Sequence, residues 1–169
     1  MGVSGTGKSE VGSRLADRLG MAYIEGDSFH PQANIDKMSA GTPLDDDDRR
    51  PWLQTLAQML QDNREAGIDS VLACSALRRA YRDILRGPGP KSAVEFVHLA
   101  APFDVLRDRM ESREHFMPAS LLQSQFDTLE PLEGDEAGRE LNVDAPLVEV
   151  VEAAVTAVRS GFVEDFGGL

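Results

Sequence analysis

Near the start of the chain, Gly2-Val3-Ser4-Gly5-Thr6-Gly7-Lys8-Ser9 sets two glycines, a lysine and a hydroxyl at the spacing G-x-x-x-x-G-K-[ST]. Each fixed position suits one task in holding a polyphosphate. Glycines let backbone N–H groups converge on phosphate oxygens, the Lys8 ammonium offsets the charge of the terminal phosphates, and the Ser9 hydroxyl can ligate Mg²⁺. The stretch from Gly2 to Ser9 is therefore expected to bind ATP with Mg²⁺. Moving a phosphoryl group onto a hydroxyl also needs a carboxylate that orients the attacking oxygen. Asp27, in Glu25-Gly26-Asp27 at the end of a short apolar run, is the candidate. Capping the helical segment that follows is the alternative reading of Asp27. His30 has no second histidine or cysteine at metal-ligand spacing, so a zinc site is not expected.

Positioning these groups requires a particular run of elements. Val11, Leu15 and Leu19, four residues apart and stopped by Gly20, predict a helix over about Lys8 to Leu19, with its N-terminus at the phosphate site. Met21 to Ile24 reads as a buried strand that delivers Glu25 and Asp27 at its C-terminal edge. The acidic run Asp45 to Asp48 precedes Pro51, Trp52, Leu56, Met59 and Leu60, so it caps a long helix ending near Gly67. Strands are expected at Ser70 to Cys74, Val94 to Leu99 and Leu141 to Val143. Helices are expected through Arg78 to Arg82, from Pro102 through Met110, around Leu121 to Phe126, and from Leu147 to Val158. Strands alternating with helices of this length predict an α/β fold, a P-loop NTPase-type three-layer sandwich with a parallel sheet.

Two gaps stand in that pattern. The sequence has no strand ahead of the glycine motif, so the sheet is expected to lack its first strand unless Met1 is internal to a longer natural chain. The Ser70 to Cys74 strand does not end in the aspartate that many P-loop enzymes use to hold Mg²⁺, which leaves Ser9, phosphate oxygens and water.

Bulk properties narrow the partners. A length of 169 residues suits one domain spanning 1–169. The formal charge of −12 repels nucleic acid and anionic membrane alike, so no partner of either kind is expected. The single cysteine, Cys74, sits in an apolar run and reads as a buried, reduced thiol, consistent with a cytoplasmic protein. No stretch approaches the ~18 apolar residues of a membrane helix.

Several segments together resemble the gluconate kinase family. They are Gly26-Asp27-Ser28-Phe29-His30-Pro31, Asn34 to Met38, Gly41 to Leu44, Asp46 to Arg49 with Pro51-Trp52-Leu53, and Cys74 to Arg79 with Tyr81-Arg82-Asp83. His115-Phe116-Met117-Pro118 and Ser124-Gln125-Phe126 with Leu129-Glu130 extend the likeness over nearly the whole chain. Members usually carry Asp where this chain has Glu25. The resemblance implies ATP-dependent 6-phosphorylation of D-gluconate, a fold related to shikimate and nucleoside monophosphate kinases, and a homodimer. An acceptor-binding segment at about 27–67 and a lid at about 109–120 follow from it.

A sugar acid needs a cation for its carboxylate and several polar partners for its hydroxyls. Asp27, His30, Lys37, Arg49 and Arg78 are the substrate-binding candidates, with pairing to Asp45 to Asp48 as the alternative for the basic residues. In the lid, Arg109 is expected on ATP and Arg113 on the transferring charge. Surface pairing with Asp104, Asp108 or Glu111 is the other reading of those arginines. Two rival functions remain open at this level: a shikimate or nucleoside monophosphate kinase, and a nucleotide-binding chain without turnover.

Overall fold

A computed structural model describes residues 1–90, 93–111 and 120–164. Helix α1 (Lys8–Leu19) is followed by β1 (Ala22–Glu25), one 3-10 turn (Gly26–Phe29), α2 (Gln32–Ser39) and α3 (Asp46–Glu65). Then come β2 (Ser70–Ala73), α4 (Arg79–Arg86), β3 (Phe96–Ala100), α5 (Phe103–Glu111), α6 (Ser120–Thr128), β4 (Gly138–Asn142) and α7 (Leu147–Glu164).

Local chemistry explains the boundaries. Gly20, in the left-handed region at φ 69°, ends α1 by donating its N–H to the Ala16 carbonyl. Asp45 caps α3 by accepting from the N–H groups of Asp47 and Asp48, while Asp48 reaches back to the Asp45 N–H. Pro51 lies in the second turn of α3, where its missing N–H leaves the Asp47 carbonyl without its helical partner.

Strand β1 pairs in parallel with β2, from Ala22 opposite Ser70 to Glu25 opposite Ala73. Strand β3 pairs in parallel with β4, from Phe96 opposite Gly138 to Ala100 opposite Asn142. Successive strand residues face opposite layers. On one side Val71, Leu99 and Leu141 meet Val11 and Leu15 of α1 and Val151 and Val155 of α7. On the other, Ile24 and Leu72 meet Trp52, Leu53 and Leu56 of α3 and Tyr81 and Leu85 of α4. This is the expected three-layer α/β arrangement.

The two strand pairs are not hydrogen-bonded to each other among the described residues. Between β2 and β3 lies a cavity of about 960 Å³, lined by Val71 and Ala73 on one wall, Val97 and Leu99 on the other, and Val11 and Leu15 of α1. Met1 lines it as well. Leu99 N–H donates to the Met1 carbonyl at 2.9 Å, and Gly2 N–H donates to the Ser75 carbonyl at 3.1 Å, so the start of the phosphate loop is tied to both pairs. A Cβ at Gly2 would run into the Leu99 carbonyl, which reserves that position for glycine.

Arg82 of α4 is fully buried, and so is the Glu136 carboxylate that it pairs with, Nε to Oε1 at 2.6 Å and Nη2 to Oε2 at 2.8 Å. The same guanidinium donates to the carbonyls of Leu77, Glu130 and Pro131. It joins the loop after β2 to the segment between α6 and β4. Arg82 also holds the Glu136 carboxyl below its ordinary 4.5. A depressed carboxyl contributes stability above the unfolded value and loses it as pH falls below about 4.5. Arg82→Met leaves the buried Glu136 carboxylate only the longer Arg86 contact at 3.4 Å and the Glu133 N–H at 3.0 Å, and the expected cost is ~3–5 kcal/mol in urea unfolding at pH 7. Adding Glu136→Leu is expected to restore much of that loss.

Candidate active site

The phosphate loop is shaped by its glycines. Gly5 and Gly7 adopt φ 82° and 83°, a left-handed geometry in which a side chain is strained, and Gly7 is the residue on which α1 starts. Thr6 Oγ1 donates to the Val3 carbonyl at 2.9 Å and braces the loop from within. Lys8 Nζ folds back onto the same carbonyl at 3.0 Å. Burial pushes the Lys8 ammonium below its ordinary 10.5, while Asp27, Cys74 and Glu25 pull the other way. Trading one neutral carbonyl for phosphate oxygens would relieve that cost, so the ammonium is poised for an anion.

Asp27 does not end a strand. It sits in the 3-10 turn directly after β1, with its side chain 64% exposed. That turn is anchored from below: Trp52 Nε1 donates to the Gly26 carbonyl at 2.8 Å, and a Cβ at Gly26 would collide with the Ala73 carbonyl. His30 stacks on Trp52 at 4.0 Å between ring centroids and comes within 3.9 Å of the Asp27 carboxylate. Burial pushes the His30 imidazole below its ordinary 6.5, which keeps the ring neutral at pH 7. Asn34 completes this corner, donating to the Asp48 carbonyl at 2.9 Å.

Lys8, Asp27, His30 and Arg49 line one small cavity of about 50 Å³, together with Ser4, Ser75 and Gln125. Five of the residues expected from sequence, Ser4 among them, thus meet in space. Arg49 is held there by the Tyr81 hydroxyl, to which its Nη1 donates at 3.3 Å, and that hydroxyl in turn donates to Asp46. Lys37 and Arg78 are placed elsewhere. Lys37 pairs with Asp48 at 2.5 Å and Asp45 at 3.2 Å, and Arg78 with the Asp46 carboxylate at 2.9 Å, across the first turn of α3. Arg109 donates to the Val143 carbonyl at 2.9 Å and lies 3.7 Å from Asp144, at the loop that follows β4. Arg113, His115 and most of the lid expected at 109–120 lie outside the described residues.

Ser9 is exposed at the mouth of the loop, where it could hold a divalent cation alongside phosphate oxygens. Among the described residues no three acidic, histidine or cysteine side chains gather as a ready-made metal site. Glu25 is engaged by the Tyr23 hydroxyl, which donates to it at 2.7 Å. The donors present therefore suit a cation carried in with the nucleotide.

Sequence reasoning gave no role to Tyr81, Ser75 or Gln125. The segments containing them were visible, but their meeting depends on chain crossings of 32 residues for Tyr81 with Arg49 and 121 for Gln125 with Ser4.

A glycine-lined phosphate cradle at a helix N-terminus, faced by a carboxylate and a guanidinium across one cavity, defines a P-loop kinase. Residues 1–132 match the AAA domain family. The chain is 53% identical over 137 residues to a gluconokinase of Gluconobacter oxydans (strain 621H), covering 80% of this chain and 76% of that one. It is 40% identical over 163 residues to the thermoresistant gluconokinase of Escherichia coli (strain K12), covering 95% and 92%. The crystal structure of a gluconokinase from Sinorhizobium meliloti 1021 superposes with a TM-score of 0.87 at 44% identity, over 100% of this chain and 95% of that one. An unliganded sugar kinase from Janibacter sp. HTCC2649 gives 0.88 at 48% identity, over 94% and 91%. The Mycobacterium tuberculosis APS kinase CysC, at 17% identity and a TM-score of 0.61 over 94% of each chain, shares the fold. The chain belongs to the gluconokinase family.

Proposed function

We propose that this protein transfers the γ-phosphate of ATP to the 6-hydroxyl of D-gluconate. The observation that carries the reading is the single cavity in which the phosphate-loop lysine faces Asp27, His30 and Arg49. Lys8 and the loop amides hold the β and γ phosphates. Asp27 accepts a hydrogen bond from the attacking hydroxyl and fixes its line of approach. Arg49, held by Tyr81, is the cation best placed for the acid's carboxylate, because Lys37 and Arg78 already face carboxylates of α3. His30, neutral and stacked, offers a ring nitrogen to a sugar hydroxyl. Arg109, on α5, borders the nucleotide beside the loop after β4, and Arg113 acts on the transferring charge from the lid. Mg²⁺, held by Ser9, phosphate oxygens and water, would draw charge from the β and γ phosphates.

The reading extends to a homodimer working in the cytoplasm, and no described helix is long and apolar enough to cross a membrane. A coupled ADP-release assay across gluconate, related sugar acids, shikimate and nucleoside monophosphates tests the acceptor. Gluconate is expected to give the highest kcat/KM; a preference for shikimate or a nucleotide would refute the assignment, and no turnover with any acceptor would favour a nucleotide-binding role.

A further inference from the structure

Two helices interlock behind Arg49, each through a pair of polar residues. Asp46 and Arg49 stand three apart at the start of α3, and Arg78 and Tyr81 three apart where α4 begins, so each pair shares one helix face. At that spacing Asp46 and Arg49 are natural partners for an ion pair along α3. The Tyr81 hydroxyl stands between them instead. It donates to the Asp46 carboxylate, which can only accept, and accepts from Arg49 Nη1 at 3.3 Å, since a guanidinium can only donate. Arg78 answers the Asp46 charge, with Nη1 at 2.9 Å from Oδ2 and 3.1 Å from Oδ1. Both guanidinium carbons lie over the Tyr81 ring, Arg49 at 5.6 Å and Arg78 at 6.0 Å from its centroid. Burial first, and then the bond to Asp46, push the Tyr81 phenol above its ordinary 10.0, so it is neutral at pH 7. Two positive charges thus share one negative charge. Among the described residues no carboxylate pairs directly with Arg49, and it is Arg49 that lines the cavity.

We propose that Tyr81 is a positioning residue that sets specificity for an anionic acceptor: it holds Arg49 through a neutral oxygen, keeps it off Asp46, and so leaves the guanidinium charge for the acceptor's carboxylate. This deepens the proposed function and rests on that cavity being the acceptor site. An uncharged polyol gains nothing from such an arrangement, so the pocket sorts acceptors by charge. In a chain of formal charge −12, an anion needs a local positive group that its own surroundings have not neutralised.

Two variants test it. Tyr81→Phe keeps the ring in the core and removes the oxygen, so Arg49 is free to close onto Asp46. Tyr81→Phe with Asp46→Asn also removes the carboxylate that would capture it, while Asp45 and Asp48 still cap α3. KM is measured separately for ATP and for whichever acceptor the unaltered protein prefers. A wrong acceptor assignment therefore shows in the unaltered protein, and a wrong role for Tyr81 only in the variants. Tyr81→Phe is expected to raise the acceptor KM roughly tenfold or more, with the ATP KM within about twofold and kcat within about threefold. The double variant is expected to recover at least about threefold of that loss, a rescue that a purely structural role for the hydroxyl would not produce. An acceptor KM within about twofold of the unaltered value in Tyr81→Phe overturns the proposal. So does an ATP KM that rises by the same factor, or a double variant no better than the single one. Thermal melts accompany both proteins; should Tyr81→Phe lose its cooperative transition, the double variant decides alone, and an acceptor KM raised tenfold or more there overturns the proposal.

Discussion

Lys8→Ala is expected to lower phosphoryl transfer by ~10³-fold or more, below measurable turnover in an ADP-release assay. The Lys8 ammonium is held where burial disfavours its charge, folded onto the Val3 carbonyl within the loop it serves. Among the described residues, Lys37 and Arg78 are paired across α3, and Arg49 is turned to Tyr81. The variant should fold, because alanine extends the first turn of α1 and the loop keeps its Thr6 brace. An unchanged melting temperature with lost turnover is the expected pair of results. Turnover within tenfold of the unaltered protein would remove Lys8 from the chemistry.

Asp27→Asn is expected to cut kcat by ~10²–10⁴-fold while the ATP KM stays within about twofold. The carboxylate lines the cavity from a turn clamped by Trp52 and Gly26, so an isosteric amide keeps the shape and loses the charge proposed to orient a hydroxyl. Equal loss of ATP binding would place Asp27 among the phosphate ligands instead. Asp27 is largely exposed and makes few structural contacts, which makes the substitution a clean one.

Much of this was legible in the sequence because it rests on local rules. The helix expected from Val11, Leu15 and Leu19 runs from Lys8 to Leu19, and the acidic run at Asp45 caps α3 through two backbone N–H groups. Strand ends shifted by one or two residues, as for β3, expected from Val94 and found at Phe96–Ala100. The last strand was expected at Leu141 to Val143 and starts earlier, at Gly138, where pairing with Phe96 sets the register and a Cβ would collide with the Phe96 backbone.

What could not be read was pairing across distance. The segment Arg78 to Arg82 read as a basic helix, yet Arg82 is fully buried against a glutamate 54 residues away. Periodicity marks which face a residue occupies, and it carries no sign of which charge waits there. Lys37 shows the same limit from the other direction, since its surroundings in sequence allowed either substrate or the α3 carboxylates, and the fold places it on the carboxylates.

The Arg82 cluster gives the site an uneven response to its surroundings. Salt screens the half-exposed links of Lys37 and Arg78 to α3 and hardly reaches a guanidinium sealed from water. Heating weakens the hydration that charged groups forgo on burial, so the penalty for enclosing Arg82 and Glu136 shrinks as temperature rises. The wall formed by Ser75 and Leu77 is therefore the part of the cavity beside Lys8 that brine and warmth disturb least, and the α2–α3 side is the part that yields.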